Sequence, residues 1–171
     1  MRPTFAHSSL SAKFDRLRDP VLTICSQIIL VLTAATLFYV AFTDLKQFTI
    51  RNELILVLAG LFLLHAILSG RWTELPWNVA FAALMFLIML YSYAQNWMGG
   101  GDLKLLAVAF LWTGPFNALP FALLLAAFAG VHAALVKFNW ANAQRVNGSV
   151  RVPFAPSIAG ALIILFTLGL V

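Results

Sequence analysis

Six acids are the scarce chemical resource of this chain: Asp15, Asp19, Asp44, Glu53, Glu74 and Asp102. Asp15 and Asp19 belong to a polar leader, and Glu74 sits in a connection beside Arg71, so all three read as solvated surface charges. Glu53 opens an apolar run, where a carboxylate complements the positive end of a helix dipole. Asp44 and Asp102 differ, because each stands at the edge of a long apolar stretch, in Phe-Thr-Asp44-Leu-Lys and Met98-Gly-Gly-Gly-Asp102-Leu-Lys. Taken singly, Asp44 is an interfacial charge or an acid with a task. Asp102 is an N-cap behind a flexible turn or half of an active site. Taken together they could perform aspartic-protease chemistry. Two carboxyls a few ångströms apart resist ionising together, so the pair holds one proton. The ionised member takes a proton from water as the water attacks a peptide carbonyl. The protonated member polarises that carbonyl and helps protonate the leaving nitrogen. Glycines ahead of Asp102 leave room for an extended peptide backbone.

The elements that must position this pair are membrane helices. Of 171 residues, 62% are hydrophobic and 10% charged, against about 25% charged in a soluble domain. The expected fold is an all-α membrane protein, a polytopic bundle of six transmembrane helices. Its segments are Val21 to Phe42, Glu53 to Ser69, Leu75 to Ala94, Leu103 to Thr113, Phe116 to Phe138 and Val152 to Val171. A single membrane domain over residues 21–171 follows a basic leader over residues 1–20, which is either a surface helix or a disordered tail. No cleavable signal peptide is expected, since the first apolar run exceeds a signal h-region. In this scheme Asp44 follows the first crossing and Asp102 the third, so both lie on one membrane face. The fourth segment is short, about 17 Å as a helix against a core of about 30 Å. A carboxylate so near hydrocarbon calls for a functional reading.

Charge excludes some partners and leaves orientation open. The net charge of +5 comes from anchors in short connections, which argues against nucleic acid and for a lipid bilayer. Lys and Arg divide five against six between the two sides: Arg2, Lys13, Arg16, Arg18 and Arg71 against Lys46, Arg51, Lys104, Lys137, Arg145 and Arg151. That split favours neither orientation. Trp72, Trp77 and Trp112 are expected at one interface, Trp97 and Trp140 at the other. A lone Cys25 forms no disulfide within the chain and reads as packing. His65 and His132 read as packing or hydrogen-bonded histidines, and no metal or cofactor is expected. Pro153 and Pro156 are expected to start and bend the last helix. Asn147-Gly-Ser149 reads as a turn.

Two motifs carry a family resemblance. Asp44-Leu-Lys-Gln-Phe-Thr-Ile-Arg-Asn52 resembles the first active-site motif of type IV prepilin peptidases: an aspartate, five residues, an aliphatic residue, proline, then asparagine or aspartate. Gly99-Gly-Gly-Asp-Leu-Lys-Leu105 matches the second, the GxGD signature, in Gly99, Gly101 and Asp102, with Lys104 following. Arg151-Val-Pro-Phe-Ala-Pro156 with Gly160 is similar to the start of the family's last helix. The resemblance implies a six-helix intramembrane aspartic protease of the bacterial inner membrane, with Asp44 and Asp102 as its catalytic pair. Gly99 and Gly101 would shape the second aspartate's site, and Lys104, Asn52 and Arg51 would flank it. Its substrates would be prepilins or pseudopilins, cut on the cytoplasmic side after a glycine that precedes the hydrophobic segment. Arg51 stands where the family has proline. With one cysteine and no cytosolic insert, the chain is similar to the small Flp/Tad-type branch, which implies cleavage without methylation. Two rivals make different use of the same residues. In a small proton-coupled transporter the acids form a cation site. In a non-catalytic assembly subunit both acids tolerate alanine.

Overall fold

The structure is a computed structural model describing residues 6–47, 49–95, 98–137, 144–146, 149–151 and 154–170; the side chains of residues 6–19, 136–137, 144–146 and 149–151 lie outside that description. Six helices and one hairpin occur among the described residues: α1 (Ala6–Gln47), α2 (Asn52–Leu68), α3 (Leu75–Ala94), α4 (Gly100–Thr113), α5 (Ala118–Lys137), β1 (Gln144–Val146), β2 (Ser149–Arg151) and α6 (Ala155–Thr167). The strands pair antiparallel, with Arg145 opposite Val150. This hairpin between α5 and α6 departs from the purely helical expectation.

The chain divides its helices by length. Pro20–Gln47 of α1, Leu75–Ala94 of α3 and Ala118–Leu135 of α5 are long and apolar enough to cross a membrane. They point Val31, Phe38, Leu87, Leu119 and Leu123 outward, a girdle that water would not tolerate and hydrocarbon accepts. The protein is therefore a membrane protein. By contrast α2, α4 and α6 have 17, 14 and 13 residues, about 25, 21 and 20 Å of helix. These short helices supply most of the core, including Leu58, Leu105, Ala109, Ile158, Ala161 and Leu162. The short even-numbered helices form the interior, and the long odd-numbered ones form its jacket.

Several sequence expectations are corrected here. The helix boundary expected at Val21 is not there: α1 runs without interruption from Ala6 through Pro20 to Gln47. The fourth helix starts at Gly100, three residues earlier than expected, so the glycines form its first turn. Trp112 is not an interfacial marker: it is 2% exposed, donates from Nε1 to the Leu58 carbonyl at 3.2 Å and meets the Phe166 ring edge-on at 5.1 Å. Trp72 and Trp77 are exposed. Trp97, Trp140, Asn147 and Pro153 lie outside the described residues.

Helices consecutive in the chain run antiparallel. Asn117 at the start of α5 donates from Nδ2 to the Leu170 carbonyl just past α6. At the same end Ser26 Oγ of α1 and His65 Nδ1 of α2 share a hydrogen bond of 3.2 Å. The ends of α1, α3 and α5 and the starts of α2, α4 and α6 therefore meet at the opposite end of the bundle.

Candidate active site

That opposite end gathers both acid-bearing motifs. Asp44 lies in the last turns of α1 and is 4% exposed. Its Oδ2 accepts the backbone N–H of Ala155 at 3.2 Å. Ala155 is the first residue of α6, whose N-cap Phe154 supplies no side-chain cap and whose first turn holds Pro156. The first N–H groups of a helix have no partner inside it, and the helix dipole favours an anion there. Asp44 thus caps α6 from another helix, which explains how so buried a carboxyl is tolerated. His132 of α5 lies within electrostatic range of the same carboxyl.

Asp102 occupies the first turn of α4 as its third residue, and the N-cap is Gly99, with extended φ −73° and ψ 145°. The expectation that Asp102 itself is the N-cap is therefore corrected. Its carboxyl folds back over that glycine: a Cβ added at Gly99 would stand 3.1 Å from Asp102 Oδ2. Gly99 keeps open the space that the carboxyl occupies.

The first turn of α4 touches both neighbouring elements at this end. A Cβ at Gly100 would lie 3.3 Å from the Tyr93 ring of α3, and one at Gly101 would lie 3.1 Å from Ile50 Cβ. The absence of a side chain at Gly101 lets the connection before α2 lie against α4. One turn on, Lys104 Nζ donates to Asn52 Oδ1 at 2.9 Å, joining the first residue of α2 to α4. Arg51, the N-cap of α2, turns instead to its own neighbour: Nε donates to Glu53 Oε2 at 2.9 Å, with both side chains well exposed. The structure thus brings Ile50, Asn52, Gly101 and Lys104 together and sets Arg51 on the surface beside them. Phe48, within the first motif, lies outside the described residues.

Sequence reasoning passed over two neighbours of Asp44, the Ala155 amide and His132. An amide has no sequence signature, and His132 stood as one histidine in an apolar run. No group of three or more metal-ligating side chains occurs among the described residues.

These features define a helical membrane protein whose two acidic motifs meet at one end of its bundle. Residues 31–135, more than half of the chain, match the model of the type IV leader peptidase family. The chain belongs to that family, and it is a peptidase. The match contains both motifs and ends before the hairpin and α6, so the helix that Asp44 caps lies beyond it. No curated protein and no solved structure matches the chain.

Proposed function

We propose that the protein is an intramembrane aspartic endopeptidase that removes the leader of type IV, Flp-like prepilins, with Asp44 and Asp102 as its reacting acids. The observation that carries this reading is the meeting of the two motifs, through Ile50 against Gly101 and Lys104 on Asn52. One acid stands in each motif, and both stand where three helices begin. One carboxylate takes a proton from water while the water oxygen bonds to the peptide carbonyl carbon. The other carboxyl gives its proton to the carbonyl oxygen. Collapse of the tetrahedral species breaks the C–N bond, and the nitrogen leaves with a proton.

Gly99 leaves room for the Asp102 carboxyl, Gly101 lets the first motif lie against α4, and Lys104 with Asn52 holds the motifs in register. The substrate presents a glycine before its hydrophobic segment, and the product amine is not methylated. All six helices cross the bacterial inner membrane, the three short ones within a locally thinned region. The Asp44 end faces the cytoplasm, and the N-terminus lies outside.

The test is co-expression in membranes with a short prepilin-like substrate. The reading predicts cleavage after the glycine, lost in Asp44→Asn and in Asp102→Asn. Retained cleavage in either variant refutes the dyad. Ion flux in liposomes that depends on Asp102, with no proteolysis, would move the assignment to a carrier.

A further inference from the structure

His132 is a half-buried side chain for which the reaction above has no use. Its Nε2 is enclosed and has no hydrogen-bond partner among the described residues, a costly state for an imidazole nitrogen. Its place in the fold is specific. A Cβ at Gly160 would meet the Phe128 ring at 3.4 Å, so the Phe128 face of α5 lies against α6. His132 follows Phe128 by four residues, one turn further along the same face. Since α5 and α6 run antiparallel, that turn leads toward the start of α6, where the Ala155 N–H holds Asp44. The imidazole and the Asp44 carboxyl sense each other electrostatically. An ordered water can join two polar groups at this range that make no direct contact.

We propose that His132 is a positioning residue whose Nε2 holds a water against the Asp44 carboxyl and keeps that carboxyl oriented for peptide hydrolysis. Asp44 is then fixed from two sides, by an amide of α6 and by a water on α5. The proposal rests on the reading of Asp44 as a reacting acid.

The experiment uses the full chain reconstituted in lipid vesicles with a prepilin-like peptide, comparing wild type, His132→Leu, His132→Gln and Asp44→Asn. Leu removes the polar nitrogen, and kcat falls about tenfold or more, the loss expected for one hydrogen bond to a charged group, while KM stays put. Gln offers an amide to the water and restores most of kcat. If the Leu variant does not reconstitute, His132→Met against His132→Gln carries the same comparison. Wild-type kcat in the apolar variant overturns the proposal, as does a Gln variant no better than the apolar one, or a change confined to KM. Cleavage by Asp44→Asn overturns the dyad reading and this inference with it. Loss of cleavage in Asp44→Asn beside an unimpaired apolar His132 variant overturns this inference alone.

Discussion

The carboxyl of Asp44 accepts the N–H of Ala155 from 111 residues away, at 3.2 Å. One bond thus joins the end of α1 to the beginning of α6. It gives the carboxyl a fixed seat and gives the uncapped helix its partner, so fold and site share an atom.

This double role separates two substitutions. Asp44→Asn keeps an oxygen that can accept from Ala155, whereas Asp44→Ala leaves the amide buried and unpaired. The alanine variant is expected to lose about 1–3 kcal/mol of stability, and the asparagine variant considerably less. On the proposed mechanism both lose cleavage. Thermal unfolding in detergent beside a cleavage assay checks this, and equal stability of the two variants would contradict the cap.

The glycines of α4 differ from other helical glycines in what they make room for. Gly99→Ala puts a Cβ against Asp102 Oδ2, and Gly101→Ala puts one against Ile50 Cβ. At Gly99 the backbone is ordinary extended structure, so the chain tolerates alanine and the Asp102 carboxyl is displaced. At Gly101 the backbone before α2 must move. Both variants are expected to fold and to lose at least half of their activity. Gly60, within α2, meets nothing within 4 Å, so Gly60→Ala keeps full activity and raises stability by about 0.5–1 kcal/mol. Parallel initial-rate and unfolding measurements on the three variants decide it.

The sequence exposed the helices more readily than their surroundings. The third helix was legible to the residue, because Leu-Pro starts it and its apolar run fills it. The continuity of α1 was not, since Pro20 in a polar leader signals a break, and only the structure shows the helix passing through it. Trp112 reads as an interfacial tryptophan beside Gly114-Pro115, yet an acceptor on α2 draws it inside. That Asp44 and the glycine run with Asp102 come to one end of the bundle was legible from residue type and spacing. The tie to Ala155 and the approach of His132 were not, because each depends on elements distant in sequence that pack side by side.

At the far end of the bundle a stability effect separates from activity. Gly114 ends α4 with φ +60°, and a Cβ there would collide with the Asn78 side chain. With ψ at −174° this backbone is essentially reserved to glycine, and it costs a residue with a side chain about 1–3 kcal/mol. Gly114→Ala is expected to lose at least that much, with the remaining folded fraction cutting substrate at the normal kcat. Activity normalised to folded protein is the measurement, and a fall in that ratio would count against a purely structural role.

The bond from Lys104 to Asn52 is exposed, so its contribution to stability is small, below about 1 kcal/mol. Its proposed contribution is register between the two motifs. Lys104→Met and Asn52→Ala should each lower kcat/KM, and the double variant should lose no more than the worse single one. Losses that add up would show that the two side chains act separately.

Arg51 stands where the family motif carries proline, and the backbone shows what that departure changes. Its φ of −75° and ψ of 135° fall within the range a proline ring enforces. Position 51 is also an N-cap, where φ and ψ are not yet helical. Arg51→Pro should therefore fold, and should gain about 0.4–1 kcal/mol by restricting the unfolded chain. Set against this is the exposed pair with Glu53, whose loss costs at most about 1 kcal/mol. Net stability is thus expected to change little. If the guanidinium serves only Glu53, cleavage of neutral and acidic leaders falls or rises together in Arg51→Pro. If it also meets the substrate, KM for leaders with acidic residues rises while that for neutral leaders holds. A matched pair of peptides differing only in leader charge distinguishes the two outcomes, and a uniform KM across the pair would remove Arg51 from the recognition surface.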